Sequence, residues 1–131
     1  IPFFSISISI KYQDKIEHAI IYDPNHNDTF TASRNEGAKL NGKRIRIYDN
    51  INLKQATIGL CLNNINIENS EYDFISILKK LNKSFNIISL GSPSLQLAYI
   101  ANNKIHGYFS QNIDIYSISN GQIIKKSRLR Q

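Results

Sequence analysis

The sequence has a single cysteine and no run of apolar residues long enough to cross a membrane. Cys61 has no second cysteine to pair with, so a disulfide framework within the chain is excluded, and a cytoplasmic location is expected. Because Cys61 lies in an apolar run, we expect a buried structural thiol. No signal-peptide pattern is present, and we expect no membrane partner.

The chain also lacks an initiating methionine, internal repeats and linker-like segments. It begins at Ile1 inside a strand pattern, which we interpret as a fragment or a decayed remnant of a longer protein. Its 131 residues have the size of one domain. The formal net charge is +6, but the basic residues are dispersed except at the C-terminus. A solvated chain end is the expected explanation for that basic cluster, and nucleic acid is not an expected partner.

The first third of the chain has the pattern of an antiparallel meander. From Phe4 to Ile10, apolar residues alternate with small polar ones, which predicts a strand with one apolar face. The dipeptide Asn41-Gly42 is a strong hairpin signal. Four further β-rich segments are separated by turn formers: residues 16–22, 29–33, 38–40 and 43–47.

The rest of the chain alternates between strand and helix patterns, which predicts a layered α/β fold. Strands are predicted at residues 57–62, 85–90 and 105–109, the first of them buried on both faces of a sheet. A helix is expected after the capping pattern at 70–73, ending near 82–83, and a second one opens at Pro93. A final helix, capped by Asp114 or Ser117, is expected to run toward Lys126.

Two groups of segments, taken in order, resemble the inositol monophosphatase family. The first comprises residues 16–24, 29–32 and 37–45; the second runs from Gly91-Ser92 to Ala101 and continues with residues 106–109. The resemblance implies the sugar-phosphatase fold, with residues 1–131 as a single partial domain that matches the second half of such a protein. It also implies, as the family activity, Mg²⁺-dependent hydrolysis of phosphomonoesters such as inositol monophosphate.

The resemblance further implies that this chain lacks most of the catalytic carboxylates. The family's Glu-Glu pair and Asp-Pro-x-Asp-Gly-Thr motif would precede Ile1. Gly91, Ser92 and Pro93 fall on substrate-binding positions, as does Ser110, where the family has a glutamate. Ser117 falls on a metal-binding aspartate, and a neutral serine is a poor Mg²⁺ ligand. We therefore expect no catalytic residue in this chain and no Mg²⁺ binding by the chain alone.

The remaining candidate side chains have structural explanations. His18, His26 and His106 lack the spacing of a metal site, so we expect each to be structural or exposed. Asp23-Pro24 is predicted to form a turn.

Two functions remain open. The first hypothesis is a piece of an active phosphatase, acting on a sugar or inositol phosphate with a complementary N-terminal half. The alternative is a non-catalytic module that binds protein or RNA of the transcription machinery, as some bacterial family members do. Physical reasoning favours an inactive chain, and the exposed edge expected at its first strand predicts self-association or a complementary chain.

Overall fold

A computed structural model of the protein describes residues 2–47, 52–61 and 74–110. It contains an antiparallel sheet, a parallel sheet, two α-helices and a short 3-10 turn at Leu53–Gln55. The antiparallel strands are β1 (Ile6–Tyr12), β2 (Lys15–Asp23), β3 (Asp28–Ser33), β4 (Gly37–Leu40) and β5 (Lys43–Arg44). The parallel strands are β6 (Thr57–Cys61), β7 (Asn86–Ser89) and β8 (Gly107–Ser110), and the helices are α1 (Phe74–Ser84) and α2 (Pro93–Ala101).

The predicted meander is confirmed as a sheet in which each strand pairs with the next along the chain. Two-residue turns at Gln13-Asp14 and Asn41-Gly42 have positive φ at both positions, the geometry that suits the twist of a hairpin. Strand β5 is shorter than the predicted residues 43–47. Its pairing with β4 joins Lys43 to Leu40 and Arg44 to Lys39, and one further hydrogen bond runs from Ile45 N to Ala38 O.

The parallel sheet has the order β7-β6-β8, so β6 is central, as its continuous apolar sequence predicts. The two helices cover opposite faces. On one face, Phe74 of α1 stacks on Phe109 of β8, with ring centroids 6.0 Å apart. On the other face, Gln96 of α2 lies directly over Gly59 of β6.

Strand β8 begins two residues later than predicted. Ile105 is buried in the core, and its N–H points to Tyr99 O at the end of α2, 3.4 Å away. It therefore closes the helix instead of starting the strand. The predicted cap at 70–73 and the predicted final helix lie outside the described residues.

Helix α2 lies between the two sheets and is buried on most sides. Toward the antiparallel sheet it packs Leu95 and Ala98 against Ile21 and Phe30, all of them fully buried. Burial of such side chains stabilises a fold by about 1.5–3 kcal/mol each. The result is a layered α/β arrangement of antiparallel sheet, α2, parallel sheet and α1. Within the described ranges, no helix has the length and apolar character needed to span a membrane.

Candidate functional site

The candidate site lies at the carboxyl edge of the parallel sheet. Cys61 at the end of β6 is the register partner of Ser110 at the end of β8, and Leu60 is the partner of Ser89 in β7. The turn at Gly91-Ser92 follows β7, and Ser110 ends β8 at the same edge. Because β6 lies between these two strands, the turn and Ser110 are about 10 Å apart, two strand spacings. Open α/β sheets bind ligands at this edge. The fold therefore brings together the four positions singled out from the sequence: Gly91, Ser92, Pro93 and Ser110.

At the start of α2, hydrogen-bonding groups find partners within the chain itself. Ser92 is the N-cap, and its Oγ accepts a hydrogen bond from Leu95 N at 3.3 Å. The adjacent Pro93 has no N–H to offer. The Ser92 hydroxyl also shares a 2.7 Å hydrogen bond with the Ser5 hydroxyl, which lies just before β1. An anion arriving here would compete with these bonds, and a substrate-binding role for Ser92 stays a prediction.

Gly91 is held close to the N-terminal segment. A Cβ at this position would lie 3.2 Å from Phe3 O, a tight contact with backbone. Together with the Ser5 hydroxyl, this places the chain before β1 against the start of α2. The N-terminal segment therefore forms one wall of the candidate edge.

Gln96 ties two strands together beneath this edge. Its side chain is fully buried, and Nε2 donates to Leu90 O at 2.8 Å and to Leu60 O at 3.3 Å. Its Oε1 points at Gly59, where a Cβ would lie only 2.5 Å away. Gly59 is thus required by the close approach of α2, and Gln96 fixes the spacing of β6 and β7 at the point where they leave the sheet.

Tyr108, Cys61 and Ser110 share one face of the sheet at the same edge, since alternate residues of a strand point to the same side. Burial raises the pKa of the Tyr108 hydroxyl to about 12, and the neighbouring Ser110 hydroxyl opposes that change. Cys61 is free and buried, as predicted for a structural thiol. Of these three residues, Tyr108 and Ser110 offer neutral hydroxyl groups and none carries a carboxylate.

Sequence reasoning missed the buried carboxylate of Asp23. The turn after it was predicted correctly, but the side chain is fully buried and accepts hydrogen bonds from Asn25 N at 3.0 Å and from Tyr99 OH at 3.3 Å. His26 Nδ1 lies 2.7 Å from Asp23 Oδ2. Burial raises the pKa of Asp23, but the hydrogen bonds from His26 and Asn25 together outweigh burial and hold it below its ordinary value. The turn-forming residues next to Asp23 predict only its local hydrogen bonds to Asn25 and His26. Nothing in the sequence pattern predicts its contact with Tyr99.

The other two histidines also have structural roles. His106 Nδ1 accepts a hydrogen bond from Thr57 N at 2.9 Å, which joins the loop before β8 to the start of β6. His18 Nδ1 lies 3.0 Å from Ser33 Oγ on the neighbouring strand. None of the three histidines belongs to a group of three or more potential metal ligands among the residues described here.

Comparison with known proteins agrees with this geometry. The model of the inositol monophosphatase family matches residues 1–126. The chain belongs to the inositol monophosphatase family. The resemblance inferred from the sequence is therefore confirmed, and so is the partial form of the fold.

Curated relatives and solved structures of the family match nearly all of this chain. A Vibrio cholerae protein named Nus factor SuhB is 33% identical over 129 residues, covering 95% of this chain and 47% of the relative. The Escherichia coli protein of the same name is 30% identical over 127 residues, covering 95% and 46%. The crystal structure of the extragenic suppressor protein suhB from Bartonella henselae superposes with a TM-score of 0.86 at 27% identity, covering 96% of this chain and 48% of that one. The chain thus spans about half the length of the relatives it matches.

Members of this family generally depend on Mg²⁺, which binds carboxylate and other hard oxygen ligands. The four candidate positions carry only two hydroxyls and no carboxylate: Gly91, Ser92, Pro93 and Ser110. Among the residues that the structure describes, no three His, Cys, Asp or Glu side chains form a group able to hold a metal ion. The described residues therefore do not fit a Mg²⁺ site. Ser117, which the resemblance aligns with a metal-binding aspartate, lies outside the described residues.

Proposed function

We propose that this chain keeps the fold and the ligand-facing sheet edge of the inositol monophosphatase family but does not hydrolyse phosphomonoesters by itself. The observation that carries the proposal is Ser110. It ends β8 at the candidate edge with a neutral hydroxyl, where the resemblance implies a glutamate. A neutral serine hydroxyl binds the hydroxyl groups of a sugar or inositol phosphate more weakly than a glutamate carboxylate does, because hydrogen bonds to a charged group are stronger.

The start of α2 supports the same proposal. Ser92 uses its hydroxyl to cap the helix and to bond Ser5, so it acts as a structural element of the edge. Hydrolysis would further require a group that activates water, in this family through bound metal. Residues of the described chain contribute binding surface and scaffold to such a site.

The restoration of carboxylates tests this proposal. The full chain is mixed with the N-terminal half of a family relative, and hydrolysis of a simple phosphomonoester is followed against a Mg²⁺ titration. We expect the mixture to remain silent with the chain as it is, and to gain activity when Ser110→Glu and Ser117→Asp are introduced together. The matched control carries Ser110→Ala and Ser117→Ala and should stay silent.

Each outcome of that experiment has a defined meaning. Mg²⁺-dependent activity in the mixture with the unaltered chain would indicate a split phosphatase and would contradict the loss of function attributed to Ser110 and Ser117. Circular dichroism and co-elution on gel filtration establish that the mixture is folded and assembled. Silence of the restored variant in such an assembled mixture would also count against the roles assigned to positions 110 and 117.

A second candidate is a non-catalytic module that binds protein or RNA of the transcription machinery. It is favoured by relatives at 33% and 30% identity that are named Nus factors. The test is binding of the full chain to transcription complexes and to RNA at two salt concentrations. RNA binding that weakens steeply with salt would support an electrostatic contact. Both candidates are consistent with the cytoplasmic location expected from the sequence.

A further inference from the structure

The turn between β4 and β5 joins an asparagine to a glycine at an exposed position. Asn41 and Gly42 both have positive φ, 50° and 79°, and a Cβ added at Gly42 would meet nothing within 4 Å beyond its chain neighbours. The side-chain amide of Asn41 is bonded at both ends. Its Oδ1 accepts a hydrogen bond from Thr29 N at 2.8 Å, and its Nδ2 donates to Asp28 Oδ1 at 2.9 Å. These two bonds connect the turn to the start of β3.

An asparagine followed by glycine can lose its side-chain amide without an enzyme. The backbone nitrogen of Gly42 attacks Cγ of Asn41, and the amide nitrogen leaves as ammonia with the proton of the Gly42 N–H, which gives a cyclic imide. Water then breaks one of the two bonds between the imide nitrogen and its carbonyl carbons. The sum of the two steps is amide plus water to carboxylate plus ammonium, as aspartate or isoaspartate. Glycine favours the attack because no side chain shields its nitrogen.

We propose that Asn41 is a site of spontaneous deamidation, that Asp28 restrains the reaction in the folded chain, and that the product weakens the hairpin of β4 and β5. Attack requires the amide to turn its face toward Gly42 N, and the amide nitrogen must depart. In the folded chain Asp28 holds that nitrogen through a hydrogen bond strengthened by the charge of the carboxylate. The bond from Thr29 N holds the oxygen of the same group, so both bonds slow the reaction.

The product places two carboxylates where an amide and a carboxylate were bonded. Nδ2 of Asn41 is the donor to Asp28, and its replacement by a negatively charged oxygen turns attraction into repulsion. The isoaspartate form also adds a methylene group to the main chain of the turn, which then no longer matches the geometry of a two-residue hairpin. Each product therefore favours separation of the turn from β3.

Separation of the hairpin would also affect the core and the loop after α2. Ala38 of β4 is buried, and Leu40 and Ile45 pack against the same core. Asn103 Nδ2 donates to Arg46 O at 2.6 Å, so the chain after β5 is joined to the end of α2. Deamidation at one exposed residue therefore loosens the contact between the antiparallel sheet and α2.

Peptide mapping of the full chain by mass spectrometry tests the site. Samples are incubated in mildly alkaline buffer, either folded or unfolded in urea. In the unfolded chain we expect Asn41 to deamidate faster than Asn35, a reference that also lies in a turn with positive φ but precedes Glu36. In the folded chain the rate at Asn41 should fall at least about tenfold, because two hydrogen bonds then restrain the amide.

Two variants of Asp28 identify the restraint. Asp28→Ala removes the acceptor of the Asn41 amide and should raise the deamidation rate in the folded chain at least about threefold. Asp28→Asn keeps an acceptor oxygen and is the matched control, so its rate should stay close to that of the unaltered chain. Circular dichroism checks that each variant is folded during the incubation, and neither variant should change the rate in urea.

Exchange of the two side chains tests the effect of the product. Asn41→Asp imitates the aspartate form and should lower the folding equilibrium constant about two- to fivefold in urea unfolding, because like charges then face each other. The double variant Asp28→Asn/Asn41→Asp restores one amide and one carboxylate with donor and acceptor reversed, and it should recover most of that loss. Asn35→Asp, which adds the same charge in another turn, should change the constant by less than about twofold.

The deamidated full chain, separated by ion exchange, tests the hairpin itself. Its backbone amides at residues 37–45 should exchange hydrogen faster than in the unmodified chain, whereas those of β7 should not change.

Each of four results would overturn the inference. The first is deamidation of Asn41 in urea no faster than that of Asn35. The second is a folded-state rate that Asp28→Ala leaves unchanged or lowers. The third is a double variant no more stable than Asn41→Asp. The fourth is unchanged hydrogen exchange at residues 37–45 after deamidation.

Discussion

The Tyr99 hydroxyl of α2 donates a hydrogen bond of 3.3 Å to Oδ2 of Asp23, the last residue of β2. Tyr99 also packs its ring near Phe30 of β3 and Phe3 of the N-terminal segment, with centroids 6.2 and 6.0 Å away. This contact fixes α2 on the antiparallel sheet. It thereby sets the position of the helix whose first turn borders the candidate edge.

Removal of this hydrogen bond should lower the free energy of unfolding without altering the fold. Tyr99→Phe keeps the ring but leaves Asp23 without one donor, and we expect a loss of about 1–2 kcal/mol. The matched control is Tyr22→Phe, because the Tyr22 hydroxyl donates to Asn27 at an exposed position. That control should change stability by less than about 0.5 kcal/mol in urea unfolding. Equal losses in the two variants would contradict the structural role of Tyr99.

Acid should destabilise the fold through Asp23. Its pKa in the folded chain is lowered from the ordinary value of 3.8, although burial acts in the opposite direction. A lowered pKa contributes stability that is complete above about pH 5 and is lost as the pH falls through the folded pKa. Thermal melts between pH 2 and 6 measure this loss. Asp23→Asn should show a shallower decline, and an unchanged decline would reject this assignment.

Alkali should destabilise the fold through the buried hydroxyl groups of Tyr99 and Tyr108. Burial raises the pKa values of Tyr99 and Tyr108 to about 12, from an ordinary value of 10.0. Because the raised pKa belongs to the folded state, the stability contributed by each hydroxyl is present below pH 10 and is lost as the pH rises through about 12. In an alkaline titration, the rise in phenolate absorbance should coincide with unfolding. Titration of both hydroxyls near pH 10 with the fold intact would contradict this prediction.

Gly59→Ala should destabilise the contact between α2 and the parallel sheet. The new methyl group would lie 2.5 Å from Gln96 Oε1 and 2.9 Å from a methyl group of Ile105, both in the core. We expect a cost of about 1–3 kcal/mol. Shortening of the partner in the double variant Gly59→Ala/Gln96→Ala should reduce the added cost of the methyl group. Urea unfolding of all four combinations measures this coupling, and strict additivity would reject it.

The sequence predicts the local elements of this fold better than its long-range contacts. Alternation of isoleucine and serine predicts β1, and Asn41-Gly42 predicts the hairpin of β4 and β5, since both signals depend on neighbours in the chain. The order of segments also identifies the family and brings Gly91, Ser92 and Ser110 together as candidates. The antiparallel meander and the start of α2 at Pro93 were predicted in this way.

The contacts that fix the candidate site join residues far apart in the chain. The sequence predicts Asp23 only as part of a turn. Its burial results from the packing of α2, which places Tyr99 over β2. The requirement for Gly59 arises from the approach of Gln96, and the engagement of Ser92 arises from Ser5. These relationships depend on layer packing, which periodicity does not encode.

The central claim, that this chain alone does not hydrolyse phosphomonoesters, is tested most directly by the chain alone. Hydrolysis of p-nitrophenyl phosphate is measured for the full chain across a Mg²⁺ titration, beside a buffer blank and an active family member. We expect a rate equal to the blank at every Mg²⁺ concentration, because Ser110 and Ser117 stand where the resemblance implies carboxylates and the family's upstream carboxylate motifs are not in this sequence. A saturable, Mg²⁺-dependent rate that co-purifies with the chain would contradict it.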